Sequence, residues 1–186
     1  MRPLKSENNE VLLGLSNVFR SKGYDGASLQ ELASATGLKK ASLYHRFPNG
    51  KQEMAEAVFD YLGDWVQKNI FEILANPKDT PQLRLKQSLE QIKLLYGGGH
   101  KPCVFNVFSL ETGNKLFANQ ITSGLQQWIT VFEQLGVAFD FPQEIATQYA
   151  HQTLIDIQGS LILATGLNDA DIFIKTLKNI EERYIK

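Results

Sequence analysis

An all-α fold is predicted by three features of the sequence. Apolar residues recur at helical spacing along nearly the whole chain, and no stretch alternates apolar and polar residues as a half-buried strand would. Glycine and proline divide the chain into segments of helix length. The hydrophobic share of 43% suits a packed globular protein. The 186 residues can hold a small domain joined to a larger one, and we predict a division into residues 1–51 and 52–186.

Two helices and their ends can be predicted near the N-terminus. Apolar residues at helical spacing over 8–22 predict the first helix, and Gly23 ends it. Ser28 and Glu31 form a capping box, in which each side chain satisfies a free backbone N–H of the other residue at the start of a second helix. Gly37 ends this helix after two turns, because glycine adopts the left-handed conformation that such an end requires.

A third short helix is predicted over residues 39–46. Leu43 and Phe47 lie four residues apart and form its inner side, and residues 48–50 (PNG) end it. Two short helices joined by a glycine turn are typical of a helix-turn-helix, whose second helix enters the major groove and presents donors and positive charge. Two ordinary surface helices with a solvated basic side are the alternative. The outward residues are Lys39, Lys40, Ser42, Tyr44 and His45.

Longer helices are predicted in the rest of the chain. Glycine-rich residues 97–102 are expected to be its most flexible loop, and residues 136–142 a second loop. Pro81 suits the first turn of a helix. The predicted helices span residues 51–74, 81–96, 103–111, 115–135, 143–165 and 169–185.

Charge and composition restrict the function classes. The net charge of −1 combines +4 in residues 1–51, from eight lysines and arginines against four acidic residues, with −5 in the remainder. A positive N-terminal third suits phosphate binding. No apolar run approaches the roughly 18 residues of a membrane helix, and residues 1–8 lack the apolar core of a signal peptide. With Cys103 as the single cysteine, we predict a cytoplasmic protein without disulfides.

No catalytic or metal-binding motif is found in the sequence. One cysteine and three histidines cannot form a zinc motif, and neither a nucleophile elbow nor a phosphate-binding loop is present. We therefore expect no enzyme activity, no cofactor and no metal.

A family resemblance rests on a continuous series of residues. The series resembles the N-terminal domain of TetR/AcrR-family regulators over about residues 8–60, and it consists of residues 19–28 (FRSKGYDGAS), 31–33 (ELA), 37–38 (GL), 42–47 (SLYHRF) and Lys51. The family usually has two residues between this phenylalanine and this lysine, whereas here there are three. This Phe-Pro-x-Gly-Lys variant resembles a subgroup that includes regulators of drug-resistance genes.

The resemblance implies a helix-turn-helix DNA-binding domain over residues 1–51 and a ligand-sensing and dimerisation domain over residues 52–186. It implies a repressor that binds a pseudo-palindromic operator as a homodimer and is released by a small effector. A sequence-nonspecific or architectural DNA-binding protein is the alternative, and an activator role stays open. Lys40 is expected to read a guanine edge, and Arg46 to contact phosphate or face solvent. The residues implied nearest the bases are Lys39, Lys40, Ala41 and Ser42, and those implied on phosphates are Ser28, Tyr44, His45 and Lys51.

An apolar effector pocket is predicted from aromatic residues mixed with a few polar ones between helices spanning residues 81–162. Plain core packing is the alternative. Cys103 is either a small buried hydrophobe or a thiol activated near Lys101 and His100, which would sense electrophiles or oxidants. The effector is therefore expected to be hydrophobic or electrophilic. The predicted lining residues are Tyr96, Cys103, Phe105, Phe108, Phe117, Trp128, Phe132, Tyr149 and Gln152.

The last two helices are predicted to form the dimer surface. Each carries an apolar stripe, and Gly159, Ser160 and Gly166 would allow close approach of two backbones. In the family, two such helices from each subunit form a four-helix bundle, and the resemblance implies the same here. The alternative is that the stripes pack inside one subunit. The predicted interface residues are Leu154, Ile157, Leu161, Ala164, Phe173, Leu177 and Ile180.

Overall fold

The computed structural model describes residues 4–185, with side chains from residue 8 to residue 185. No strand occurs in this part of the chain, which confirms the all-α fold. The side chains of Arg2 and Lys5, included in the charge of the N-terminal third, lie outside the described residues. The α-helices are α1 (Leu4–Gly26), α2 (Leu29–Thr36), α3 (Lys40–Arg46), α4 (Lys51–Val66), α5 (Glu72–Ala75), α6 (Pro81–Leu95), α7 (Val104–Phe108), α8 (Glu111–Ala138), α9 (Gln143–Leu167) and α10 (Asp171–Ile185).

The chain forms two compact units. The first contains the residues up to Asp64 together with Val104–Ile121, and the second contains Trp65–Cys103 and Thr122–Lys186. Helix α8 therefore contributes its first part to one unit and the remainder to the other. The division at Lys51 was predicted from a functional motif, and it stays a prediction.

The first unit has a core of fully buried side chains from α1 to α4, which include Leu15, Phe19, Leu32, Leu43 and Met54. Helices α1 and α2 approach closely at Gly14, where an added Cβ would lie 2.5 Å from the Ala35 carbonyl oxygen. The helical course of α1 is interrupted at Gly23, which has a φ of 68°. The interruption confirms the predicted stop.

The second unit packs α10 against α9 and α6. Residues 97–102, predicted as the most flexible loop, begin with a 3-10 turn at Gly97–Gly99, and the Lys101 N–H donates to the Tyr96 carbonyl at 2.9 Å. Gly99 lies against α10, because an added Cβ would be 2.9 Å from Cβ of Phe173. The glycines here permit a tight turn and close packing rather than an open loop.

Three helix predictions differ from the structure. The run predicted as one regular helix over residues 51–74 contains a π-helix at Gln67–Phe71 between α4 and α5. Helix α8 continues past Gly136, predicted as a loop residue, because the missing side chain allows contact with Ala146 on α9. The segment predicted over residues 103–111 is helical only over Val104–Phe108, and Glu111 has a φ of 46° at the start of α8.

Among the described residues, no helix is both long enough and apolar enough to cross a bilayer.

Candidate DNA interface

The helix-turn-helix is fixed at both ends of α2 by local hydrogen bonds. The Glu31 N–H donates to Ser28 Oγ at 3.2 Å, and the Ser28 N–H donates to Glu31 Oε2 at 3.1 Å, which confirms the predicted capping box. The Ser28 hydroxyl also donates to this carboxylate, and this hydrogen bond is the main reason that the pKa of Glu31 is lowered. Gly37 ends α2 with a φ of 68°, as predicted.

Helix α3 has the two-sided character that a recognition helix needs. Leu43 and Phe47 are buried and attach α3 to the first unit. Tyr44 is 45% exposed, and no acidic side chain lies within α3. The exposure required for the predicted DNA contacts is therefore present, while the contacts themselves stay predictions. The exposed members of the predicted set on and beside α3 are Lys39, Lys40, Ala41, Ser42, Tyr44 and His45.

Arg46, predicted to contact phosphate or to face solvent, has a partner within the chain. Its guanidinium donates from Nη2 to the side-chain oxygen of Asn8 on α1, and it also lies 5.9 Å from the centroid of the Phe47 ring. The residue is half-buried. In this arrangement Arg46 links the end of α3 to α1.

Lys51, predicted to contact a phosphate, has an ammonium group that already has partners. Its Nζ donates to the carbonyls of Tyr24 at 2.9 Å and Ala27 at 3.2 Å, and it lies 4.5 Å from the centroid of the Tyr24 ring. Lys51 also lines a surface depression of about 630 Å³ beside the helix-turn-helix. The other lining residues are Asp25, Ala27, Ser28, Leu29, Tyr44, Pro48, Asn49 and Gly50.

The nine residues predicted to line an effector pocket divide between the two compact units. Phe105, Phe108 and Phe117 belong to the first unit. Phe108 and Phe117 are fully buried with ring centroids 5.4 Å apart, and Phe105 stacks on Phe59 at 6.0 Å. The remaining six residues belong to the second unit, and the predicted pocket stays a prediction.

Within the second unit, Trp128, Phe132 and Tyr149 belong to one series of ring contacts that passes through Tyr184. Trp128 packs against Phe71 and Phe132, with ring centroids 5.2 and 6.2 Å apart. Tyr149 contacts Tyr184, whose pKa is raised by burial to about 12. Gln152 is exposed and donates to Asp156 at 2.7 Å.

Tyr96 and Cys103 are buried, and the Tyr96 hydroxyl lies 3.6 Å from the Cys103 sulfur. A reactive thiol needs access to solvent, so this position favours the packing interpretation of Cys103 over the sensor interpretation.

A groove that was not predicted lies on the second unit beside the π-helix. Its volume is about 380 Å³, and Phe71 and Val131 are its largest apolar side chains. Glutamine side chains along α8 add polar groups to this lining, and none of the nine residues predicted to line the effector pocket is among them. The full lining consists of Gln67, Phe71, Glu72, Ala75, Ser123, Gln126, Gln127, Thr130, Val131 and Gln134.

The residues predicted as the dimer interface require correction. All seven are buried within the chain itself, because α9 and α10 pack their apolar stripes against their own subunit, and they have no surface left for a partner. The residues are Leu154, Ile157, Leu161, Ala164, Phe173, Leu177 and Ile180. A different side of α9 is apolar and open to solvent, with Ile155 62%, Ile162 55% and Leu163 54% exposed.

Among the described side chains, no group of three histidine, cysteine or acidic residues is arranged to hold a metal ion.

Comparison with known families identifies the N-terminal part of the chain. Residues 14–58 match the family model of bacterial regulatory proteins, tetR family. An uncharacterized HTH-type transcriptional regulator in the lacX 3' region of Lactococcus lactis is 23% identical over 91% of this chain and 88% of its own length. IcaR of Staphylococcus aureus, the HTH-type negative transcriptional regulator of the biofilm operon icaADBC, is 38% identical over 33% of this chain and 34% of its own length.

Solved structures share the whole fold. A TetR transcriptional regulator from Legionella pneumophila has a TM-score of 0.80 at 20% identity, and the match covers 98% of both chains. A cysteine mutant of the TetR family transcriptional regulator CifR, complexed with 26bp double-strand operator DNA, has a TM-score of 0.72 at 13% identity over 94% of both chains.

Proposed function

We propose that this chain, which carries a TetR-family helix-turn-helix domain within the fold of the TetR regulators, is a cytoplasmic, ligand-responsive transcriptional repressor. It binds a pseudo-palindromic operator as a homodimer and is released by a small hydrophobic effector. The observation that carries this proposal is the arrangement of α3, which buries Leu43 and Phe47 and exposes a polar, basic side free of acidic residues. Such a helix can enter the major groove, where hydrogen-bond donors and positive charge are needed.

Individual contacts follow from the position of each residue. Lys39, Lys40, Ala41 and Ser42 lie at the start of α3, which is the part of a recognition helix nearest the base edges. Lys40 is the proposed reader of a guanine, because an ammonium can donate to O6 and N7. The residues proposed to contact the DNA backbone are Ser28, Tyr44 and His45.

Repression as the direction of regulation is supported by IcaR, which is named as a negative transcriptional regulator. The operator DNA in the CifR complex supports specific duplex binding by this fold. Assignment to the subgroup with the Phe-Pro-x-Gly-Lys variant stays a prediction.

The homodimer is proposed to form through the exposed side of α9. Ile162 and Leu163 follow Ile155 by seven and eight residues, about two helical turns, and share one side of the helix with it. Gly159 and Gly166 lie on the same side, and a Cβ added at either glycine would meet no atom within 4 Å. An exposed apolar helix side with small residues suits close packing against a second copy.

Effector release is proposed as a shift between two shapes of the dimer. The two shapes differ in the distance between the two copies of α3, and only one of them matches the roughly 34–36 Å that separates successive major grooves. An effector that binds the other shape more tightly weakens DNA binding by its difference in affinity, typically 1–3 kcal/mol. The effector site is proposed among the aromatic residues of the predicted ligand-sensing domain, residues 52–186.

The test is fluorescence anisotropy with the DNA upstream of the protein's own gene, titrated against scrambled duplex of equal length. A specific regulator should prefer its operator by about a thousand-fold or more at physiological salt. Equal affinity for both duplexes would instead support an architectural DNA-binding protein. Absence of binding at low ionic strength would overturn the proposal.

A further inference from the structure

We infer that Lys51 is a positioning residue for DNA binding, which holds the connection between α1 and α2 in place and does not itself contact a phosphate. The inference rests on the proposed function, because it assigns a role within the same DNA interface. It replaces the direct phosphate contact that the sequence resemblance implies for Lys51.

The ammonium of Lys51 is committed to the protein. A lysine ammonium carries three N–H donors. Two of them point at the carbonyl oxygens of Tyr24 and Ala27, at 2.9 and 3.2 Å, and the group also lies 4.5 Å from the centroid of the Tyr24 ring. Tyr24 and Ala27 are both buried. Lys51 itself is half-buried. Moving its ammonium to a phosphate would give up two charge-assisted hydrogen bonds and a cation–π contact.

The connection that Lys51 holds is also fixed from its other side. The Tyr24 ring packs against Phe108 and Phe117, with centroids 5.9 and 5.4 Å away. Asp25 accepts a hydrogen bond from the Thr112 N–H at 3.2 Å, near the start of α8. The connection between α1 and α2 therefore lies between the Lys51 side chain on one side and α7 with the first part of α8 on the other.

The contact between Lys51 and Ala27 affects the helix-turn-helix directly, because Ala27 is adjacent to the first residue of its capping box. Ala27 directly precedes Ser28, whose hydroxyl and N–H form the capping box that begins α2. Lys51 is itself the first residue of α4, directly after Gly50 with its φ of 70°. Lys51 thus links the start of α4 to the start of α2. These are the helices that precede and follow α3, so the contact helps to position α3.

Salt dependence separates a positioning role from a phosphate contact. Each phosphate contact contributes roughly 0.9 to the slope of log K against log salt concentration. Affinity for the upstream duplex should be measured from about 50 to about 200 mM salt for the wild type, Lys51→Met and the control Lys40→Met. Lys40 is the matched control, because it is an exposed lysine on α3.

We expect Lys51→Met to lower affinity roughly ten-fold at every salt concentration, the size of effect that loss of charge-assisted hydrogen bonds implies, without changing the slope. Lys40→Met should lower affinity and also reduce the slope, because it removes a positive charge that the proposed function places in the major groove. A slope reduced by roughly 0.9 in Lys51→Met would overturn the inference.

A charge-preserving variant covers the case in which Lys51→Met does not fold. Lys51→Arg should also lose affinity with an unchanged slope, because a planar guanidinium does not replace a compact ammonium between two carbonyls and a ring. Wild-type affinity in Lys51→Arg would overturn the inference, because a phosphate contact tolerates this exchange.

Hydrogen exchange of residues 28–31 in DNA-free protein provides a readout that does not depend on DNA binding. Faster exchange in Lys51→Arg than in the wild type is expected, and unchanged exchange would overturn the inference. If the wild type ignored DNA while exchange still rose in the variant, the proposed function would fail and the link from Lys51 to the start of α2 would stand.

Discussion

Helices α3 and α9 both present a side to solvent, but with opposite chemistry. The outer side of α3 carries lysines, a histidine and hydroxyl groups, whereas the outer side of α9 carries Ile155, Ile162 and Leu163. Helix α3 buries one apolar side and leaves a polar one, which suits a wet and charged partner such as DNA. Helix α9 is apolar on two sides, one used within the chain and the other available to a second protein surface. The contrast separates a proposed nucleic-acid surface from a proposed subunit surface.

The largest expected effect comes from a charge on the outer side of α9. Ile162→Glu should convert the dimer to a monomer, because it places a carboxylate within the proposed apolar contact. Operator affinity should fall on the order of 100-fold or more, since a monomer loses the second half-site. Analytical ultracentrifugation and anisotropy measure the two effects. Leu94→Glu is the control, because Leu94 is also an exposed apolar residue but lies on α6. A dimer that persists in Ile162→Glu would remove α9 from the proposed interface.

The next effect concerns sequence reading by α3. Lys40→Ala should reduce discrimination between the operator and a duplex with one changed guanine by about 1–3 kcal/mol, because the bidentate contact to that base is lost. Competition anisotropy with single-base operator variants measures this difference. An equal loss of affinity for every duplex would instead assign Lys40 to the phosphate backbone.

A smaller effect is expected at the start of α2. Ser28→Ala should lower the free energy of unfolding by about 1 kcal/mol, because the variant removes the acceptor for the Glu31 N–H. Denaturant titration measures this free energy. Ser21→Ala is the control, since this hydroxyl donates only to a carbonyl of its own helix. Equal stability of the wild type and Ser28→Ala would contradict a stabilising role for the cap.

The smallest effect is a pH dependence at Glu31. Hydrogen bonds from Ser28 lower the pKa of this carboxylate in the folded state, with Lys22 adding a smaller contribution. The ionised carboxylate therefore stabilises the fold above its unfolded pKa, and the stabilisation is lost as pH falls through the lower folded pKa. Glu31→Gln should show a weaker loss of stability between pH 5 and pH 3, roughly the range of carboxylate titration. An identical acid profile in both proteins would argue against this linkage.

The helix-turn-helix was predictable because its signals are local. The capping box at Ser28, the left-handed Gly37 and the four-residue spacing of Leu43 and Phe47 each depend on neighbours within a few residues. These short-range hydrogen bonds and burial patterns require particular residue types at fixed spacings, which can be recognised in the sequence.

Tertiary contacts explain what could not be predicted. The partners of Lys51 are backbone carbonyls 27 and 24 residues away, and a carbonyl has no residue type that marks it in a sequence. Gly136 is predicted as a stop, although its missing side chain serves the contact with Ala146 on another helix. Helix α9 has two apolar sides, and the sequence alone does not indicate which of them is buried within the chain.

The π-helix at Gln67–Phe71 changes the angular phase of the helical run that begins at Lys51. A wider turn accommodates one additional residue, so each side chain beyond it is rotated by about 100° from where an uninterrupted α-helix would place it. Leu74, fully buried in α5, therefore owes its inward direction to an insertion several residues earlier. Deleting one residue from the wide turn would restore a regular α-helix and rotate the Leu74 side chain away from the core. This change in packing would occur although no other residue is substituted.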